Sequence, residues 1–388
     1  MATLHICRDH NFVTQSSRLF EEYYPGENIF VIHSVTGKLK IIRDAAGFMV
    51  MNLYDRSNHA RLLEICRERG VDRIVLHALV DYMPTLLGYL RQNIEFKTYW
   101  IFWGYELYET IGYEKGYKLV DEPFSPFRKE CYFTPNRVSK FIRKITHNYR
   151  PAAFESLFPH IDYFCFWNKS DYDLLRKYYD YPIEFRYFSY GSNRKGQEPT
   201  NLAPLDRAES GVILVNHQAS LFGNHTTVLK RLDEIDPDHS HDIIAPLSYG
   251  SAPIRKSVLK AGRKMFGDRF KPILDYMPAA EYFKIINNVD VAIFGQRRQE
   301  ASGNIIELLK NGVKVFLRND NNLLGYYRDK GYIIYSFEDD LADESALRPL
   351  SLEEKRHNRK CYLENRTYYD DFMPHLFDDC ISQNKHTS

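Results

Sequence analysis

The sequence predicts an α/β chain built of two parallel-sheet, Rossmann-like halves joined by a polar linker. Three observations carry this. Short apolar runs that read as buried strands alternate with segments of helical periodicity, at the spacing of βαβ units. The alternation restarts cleanly at Val212, after a Pro- and Gly-containing stretch from Gly191 to Arg207. The length, 388 residues, exceeds what one hydrophobic core organises. The expected division is a first half over 1–190, a linker over 191–210, a second half over 211–345, and a helical C-terminal segment with its tail over 346–388.

In the first half, Thr3 to Cys7 reads as a strand. The polar turn Arg8-Asp9-His10-Asn11 and a helix with Phe12, Leu19 and Phe20 on its apolar side follow it. Ile29 to His33, Lys38 to Ile42 and Phe48 to Met51 read as strands, then Asn58 to Arg69 as a helix. Arg73 to His77 is a buried strand, Pro84 to Arg91 a helix and Thr98 to Trp103 a strand. Glu106 and Glu109 then stand at a carboxyl strand end, where parallel sheets keep their ligands. The same two acids would also favour the positive start of the next helix.

Residues 121–150 interrupt the pattern. Within them Val138, Phe141, Ile142 and Ile145 fall at helical spacing, and Arg137, Lys140, Arg143 and Lys144 fill the remaining face. Such a basic amphipathic helix either lies on an anionic membrane surface or packs its apolar side on the domain. Asp162 to Trp167 is a strand. Ser170 with Asp173 reads as a helix start with acids in its first turn, in preference to a metal-binding Asp171-x-Asp173. Glu184 to Phe188 closes the half.

The second half opens with the strand Val212 to Val215, the polar loop Asn216 to Asn224, and a helix holding Val228, Leu229 and Leu232. Asp242 to Ala245 is a strand that runs into Pro246-Leu247-Ser248-Tyr249-Gly250; a helix over 253–266, a short strand at Pro272 to Leu274 and a helix at Ala279 to Ile286 follow. The clearest unit comes next. A buried strand from Val289 leads to a loop with Arg297, Arg298 and Gln299, a helix starting at Ser302/Gly303/Asn304 and stopping at Asn311-Gly312, and a strand from Val313 to Leu317. Tyr332 to Tyr335 is the last strand, and Ser351 to Leu376 reads as helices packed outside the sheets.

A net charge of +1 gives no general reason to bind nucleic acid. The six cysteines show neither a CxxC pair nor zinc spacing, and the scattered histidines form no metal cluster, so a reduced cytosolic setting without a metal is expected. Met1 to Cys7 is short and runs into Arg8 and Asp9, so no secretory leader is expected, and no apolar run reaches membrane-spanning length. Without a GxGxxG after Cys7 or Val215, or a Walker A sequence, a nicotinamide dehydrogenase and an NTPase are both disfavoured.

What remains is a nucleotide-diphosphate pocket at the carboxyl edge of the second half, formed by the loops 216–224, 246–250 and 296–304. Tyr249 or the backbone at Leu247 and Ser248 would meet a base, while Arg298 and the amides at the Gly303/Asn304 helix start would meet phosphates. An ordinary capped helix behind a solvated loop fits the same residues. On the first half, Asp9, His10, His77 and Glu106 follow strands. Sugar transfer to a hydroxyl needs a base, for which Glu106 or His10 is suited. His77 alone reads better as a satisfied buried histidine.

Trp103-Gly104-Tyr105-Glu106-Leu107-Tyr108-Glu109 resembles the W-G-x-[DE]-L-Y-E signature of glycosyltransferase family 56, the TDP-N-acetylfucosamine:lipid II N-acetylfucosaminyltransferases. Three further stretches keep the family's order. Val215 with Ser220 and Gly223-Asn224-His225 resembles its V-G-N-S-A-S-x-x-N-N-H loop, Pro246-Leu247-Ser248-Tyr249-Gly250 its P-x-x-Y loop, and Arg298-Gln299 with Gly303-Asn304 its R-Q-x-x-x-G-[TN] loop. The resemblance implies a GT-B fold of two facing Rossmann-like domains with a C-terminal helical segment. It also implies a TDP- or UDP-linked sugar donor as co-substrate, no other cofactor and no metal, and a lipid-linked or surface-polysaccharide acceptor at the inner face of the plasma membrane.

Carried over, Glu106 takes the family's acidic site and Arg298, Gln299, Gly303 and Asn304 its donor-phosphate site; by its place after a strand His10 is the other catalytic candidate, with Asp9, His77 and Trp103 on the acceptor side. Asn216, Ser220, Asn224, Ser248, Tyr249, Arg298, Gln299, Ser302, Gly303 and Asn304 line the donor side, and Arg137, Lys140, Arg143 and Lys144 would face a membrane. Asn216-His217-Gln218 replaces the family's G-N-S, which leaves the sugar open. The expected activity is transfer of an N-acetylfucosamine-like deoxy amino sugar. A nucleotide-sugar epimerase and a non-catalytic subunit of a polysaccharide-assembly complex are the alternatives.

Overall fold

The structure, a computed structural model, describes residues 1–10, 12–44, 46–121, 155–238 and 240–378. The basic stretch with Arg137, Lys140, Arg143 and Lys144 lies outside the described residues. The chain forms two compact units. One holds the described residues of Met1–Tyr117, Ser125–Lys195 and Tyr368–Ser388, and the other those of Lys118–Phe124 and Gly196–Thr367.

The first unit has a seven-stranded sheet made of β1 (Ala2–Arg8), β2 (Asn28–His33), β3 (Phe48–Met51), β4 (Val71–His77), β5 (Lys97–Ile101), β6 (Tyr163–Phe166) and β7 (Glu184–Tyr187), in the order β3-β2-β1-β4-β5-β6-β7. The second unit's six-stranded sheet contains β8 (Val212–Val215), β9 (Asp242–Pro246), β10 (Phe270–Ile273), β11 (Val291–Ile293), β12 (Lys314–Leu317) and β13 (Tyr335–Ser336), in the order β10-β9-β8-β11-β12-β13. Every pairing is parallel. The strands read as near-continuous apolar runs because helices cover both faces of such sheets. In each unit the strand order reverses beside the unit's first strand, between β1 and β4 and between β8 and β11. Open α/β sheets bind ligands at that reversal, outside the carboxyl strand ends.

Local chemistry sets the element ends. The helix α1 (Phe12–Tyr23) buries Val13, Leu19 and Phe20. Ahead of α2 (Arg56–Arg69), the Asp55 side chain accepts from the Ser57 amide, and Gly70 ends the helix at φ 62°, the left-handed region glycine enters without strain. The other α-helices among the described residues of the first unit are α3 (Met83–Arg91), α4 (Tyr105–Glu114) and α5 (Lys169–Tyr178). The second unit adds α6 (His225–Ile235), α7 (Ala252–Phe266), α8 (Ala279–Ile286), α9 (Ser302–Lys310), α10 (Asn322–Asp329) and α11 (Leu352–Glu364).

Several expectations are corrected. Lys38 to Ile42 forms no strand, because the Asp9 carboxylate takes the amides of Lys40, Ile41 (3.0 Å) and Ile42 (2.9 Å) that a strand ladder would need. Asn168, not Ser170, caps α5, its Oδ1 accepting from Ser170 N at 3.1 Å. Ser302 is the first residue of α9 rather than its cap; Ala301 precedes it at φ 64° and no side chain caps the helix. The last strand is Tyr335–Ser336, later than expected. The stretch expected as a linker divides: 191–195 belong to the first unit and 196–210 to the second, where Asp290 accepts from Arg207 Nη1 (2.9 Å), Ser210 N (2.6 Å) and, just beyond the stretch, Gly211 N (2.8 Å). The C-terminal segment divides: Arg359 of α11 donates to the Lys310 carbonyl at the end of α9 (2.9 Å), whereas Tyr369, Met373 and Phe377 enter the core of the first unit.

Candidate active site

At the β8/β11 reversal three loops are tied into one piece. Asn216, at φ 58°, accepts from Gly295 N at 2.8 Å through Oδ1 and donates to the Gly223 carbonyl at 2.8 Å through Nδ2. Gly295 has to be glycine, since a Cβ there would stand 2.3 Å from the Gly223 carbonyl oxygen. Asn224, at φ 47°, donates to the carbonyls of Gly295 (2.9 Å) and Leu119 (3.2 Å) and accepts from Asp121 N (2.9 Å). The β9 loop joins through Ala219, which donates to the Tyr249 carbonyl (3.1 Å) and accepts from Ser251 N (2.8 Å).

A charged cluster sits in this framework. The Glu300 carboxylate accepts from Arg298 Nε at 3.2 Å and from Gln218 Nε2, and its Oε1 lies 3.7 Å from His217 Nε2. Gln296 Nε2 donates to His217 Nδ1 at 3.3 Å, which leaves the ring proton on Nε2, facing Glu300. Burial would raise the Glu300 carboxyl, but Arg298 and then His217 outweigh it and hold it below the usual range. Burial lowers His217, against Glu300. The Arg298 guanidinium lies 4.3 Å over the Phe222 ring. His225 is buried with its ring against Gly223, and burial, reinforced by His217, pushes it down to about 4.

Arg297 has a different fate from its neighbour. It pairs with Asp121 (2.6 Å) and Asp320, while Arg318 pairs with Asp121 and Glu338. Burial would raise Asp121, and the hydrogen bonds from Arg318 and Arg297 hold it below the usual range instead. Of the expected donor residues, Asn216 and Asn224 are staples, and Ser220 caps a short turn by accepting from Phe222 N. Ser248, Gln299, Ser302 and Asn304 are half-buried around the cluster, with Tyr249 and Gly303 exposed. His217, Gln218, Gln296, Glu300 and Asp121 were not anticipated. The first two occupy the positions where the sequence departs from the family pattern, which was the available signal.

In the first unit His10 is half-buried, edge-on to Trp103 with ring centroids 4.6 Å apart. Its Nδ1 accepts from Phe12 N at 3.3 Å, and burial, then Arg8, lowers its pKa against Asp9. Asp9 is committed to the loop amides described above. Burial works against its charge, and those amides still hold it below the usual range. His77 belongs to a buried chain. Asn28 Oδ1 accepts from His5 Nε2 (3.1 Å), His5 Nδ1 from His77 Nε2 (3.0 Å), and His77 Nδ1 pairs with the Tyr190 hydroxyl at 2.7 Å. Both imidazoles are satisfied while neutral, and burial pushes His77 down to about 3.

Glu106, in the first turn of α4, turns into the unit and is fully buried. Its Oε1 accepts from Leu79 N (3.3 Å) and Trp100 Nε1 (3.4 Å), and its Oε2 has no partner among the described residues. Burial pushes its carboxyl up to about 7. Among the described residues no group of three or more His, Cys, Asp or Glu is placed to hold a metal ion, and no helix is long and apolar enough to cross a membrane.

No family model matches the chain, and no curated protein sequence does. Solved structures do. Sucrose-phosphate synthase from Thermosynechococcus elongatus is 11% identical with a TM-score of 0.61, over 99% of this chain and 100% of its own. A glycosyltransferase from Rickettsia africae is 12% identical with a TM-score of 0.59, over 100% and 99%. Anabaena HepE, solved in complex with UDP, is 9% identical with a TM-score of 0.60, over 99% and 100%. Together with the two parallel sheets, these likenesses establish the fold: the chain has the GT-B fold.

Proposed function

We propose that the chain is a glycosyltransferase whose nucleotide-diphospho-sugar donor binds at the β8/β11 reversal. The observation that carries this reading is the half-buried Arg298, its guanidinium 4.3 Å over the Phe222 ring, preceding the start of α9, which no side chain caps among the described residues. A guanidinium and helix amides together neutralise a diphosphate, and they do so most strongly as it departs with the full charge of the broken glycosidic bond. That both ends of Asn216 are used in joining the loops supports a preorganised pocket. The full-length likeness to sucrose-phosphate synthase and to a UDP-bound HepE supports a nucleotide sugar as donor.

The finer reading rests on the family resemblance of the Trp103–Glu109 and Arg298–Asn304 stretches. It is a TDP- or UDP-linked, N-acetylfucosamine-like sugar and a lipid-linked or surface-polysaccharide acceptor met at the inner membrane face. Glu106 is our choice of base, with a carboxyl tuned near neutrality and one oxygen unpartnered. With Nδ1 accepting from Phe12 N, His10 presents a protonated Nε2 and acts as a hydrogen-bond donor to the acceptor.

Calorimetric titration with TDP, UDP, GDP and NAD, with and without magnesium, tests this. Binding of one pyrimidine diphosphate that magnesium leaves unchanged is expected. Binding of none of the four would favour a non-catalytic subunit. Consumption of a nucleotide sugar without an acceptor, giving its epimer, would favour an epimerase.

A further inference from the structure

A cavity of about 380 Å³ opens at the carboxyl edge of the first sheet, lined by none of the residues assigned above. Tyr54 follows β3, Arg56 opens α2, Asp81 and Tyr82 follow β4, and Thr85 lies in the first turn of α3; all five line it. Its volume is in the range of small-molecule sites.

The walls are built rather than incidental. The Tyr54 and Tyr82 rings meet edge to face, 5.3 Å between centroids at 77°. His33 packs on both, at 5.1 and 4.6 Å, and accepts from Leu53 N at 3.0 Å, which fixes the β2 and β3 loops to each other. The Tyr54 hydroxyl donates to Asp81, and burial raises the Asp81 carboxyl against that bond. Tyr82 is 4% exposed, and its hydroxyl is buried without a partner among the described residues. Buried hydroxyls are nearly always paired, so one that is not points to a missing partner.

The mixture of groups narrows the ligand. An anion would meet the Asp81 carboxylate and a cation the Arg56 guanidinium. An apolar ligand would strand both, along with the Tyr82 hydroxyl. A neutral ring with several hydroxyls satisfies all of them: a carboxylate and a guanidinium take adjacent hydroxyls, and the aromatic walls take the C–H face. We propose that this cavity is a saccharide subsite for one pyranose ring, read by Asp81 and Arg56 and completed by a hydrogen bond from Tyr82. That the ring belongs to the acceptor rests on the glycosyl-transfer reading; that the cavity binds a saccharide does not.

Saturation-transfer NMR on the full chain with the methyl β-glycosides of glucose, galactose and N-acetylglucosamine tests the subsite. Tyr82→Phe removes only an oxygen that bonds to nothing described, and Asp81→Asn keeps the shape of the side chain, so matched melting curves establish that both are folded. Binding of at least one glycoside to the wild type is expected, weakened ~10-fold in either variant by loss of a hydrogen bond to sugar. Silence of all three glycosides on the wild type, or binding by either variant as tight as the wild type's, overturns the subsite. UDP titration of the same samples separates the two readings. Glycoside binding without UDP binding keeps the subsite and removes the transferase, and UDP binding without glycoside binding removes the subsite alone.

Discussion

Arg298 and Glu300, two positions apart in one loop, hold each other through Nε and Oε2 at 3.2 Å, with the guanidinium 4.3 Å over the Phe222 ring. Glu300 thereby orients the arginine without using the whole of its donor fork.

Replacing Arg298 by Ala is expected to weaken diphosphate binding by a factor of roughly 10 to 100, the worth of charge-assisted hydrogen bonds. Arg298→Lys recovers part of it, because a lysine keeps the charge and loses the planar fork. Calorimetry with the bound nucleotide reads both. Unchanged affinity in the alanine variant would take Arg298 out of the site.

Gly295→Ala is expected to cost about 2 kcal/mol or more, because its Cβ would meet a backbone oxygen, which cannot rotate away as a side chain can. A fall in melting temperature together with lost nucleotide binding is the expected result. A variant as stable as the wild type would show that the loops are looser than the Asn216 contacts indicate.

The Glu106 carboxyl is raised by burial from 4.5 to about 7. Protonation therefore favours the folded chain. The stability this contributes is complete below pH 4.5, falls as the unfolded chain ionises ahead of the folded one, and is lost once pH passes about 7, an effect of about 3 kcal/mol. Glu106→Gln should melt with less dependence on pH between 4.5 and 7 and be the more stable protein at pH 8. The same variant should lose turnover while keeping nucleotide affinity. Parallel pH dependence in the two proteins would contradict the burial of the charge.

Asp121 contributes in the opposite direction. Its carboxyl is held low by Arg318 and Arg297, so its stabilisation is present above the ordinary carboxylate pKa and is lost as pH falls through the depressed value. Asp121→Ala should lower the urea midpoint at pH 7 by an amount equivalent to about 2 kcal/mol and narrow the gap to wild type in acid. An unshifted midpoint would mean that Asp320 and Glu338 alone satisfy the two arginines.

The βαβ unit around β11, α9 and β12 was legible because its apolar runs are long, its helix ends in Asn311-Gly312, and parallel strands bury both faces. Lys38 to Ile42 misled because a strand pattern is only a pattern of side chains; the carboxylate of Asp9, far from it in sequence, took the amides. The position of Glu106 was legible from the strand before it, but its inward direction was not, since a first-turn side chain goes where its neighbours leave room. Arg297 and Arg298 look alike in sequence, and only the return of Asp121 to the second unit separates a structural arginine from a candidate ligand. The cavity at Tyr82 has no sequence signature, being assembled from two segments, after β3 and after β4, that share no motif.

Residues 369–377 belong to the core of the first unit, where Phe377 packs 4.8 Å from Tyr99 and beneath Arg73 at 4.7 Å. Synthesis runs from the N-terminus, and domains usually fold in that order. Here the first unit must wait. Its sheet can leave the ribosome complete while the core stays open, until the second unit has been made and the last aromatic residues arrive. A fragment that stops after Lys195 is thus an unfinished domain, and the half of the chain translated first is the one that finishes folding last.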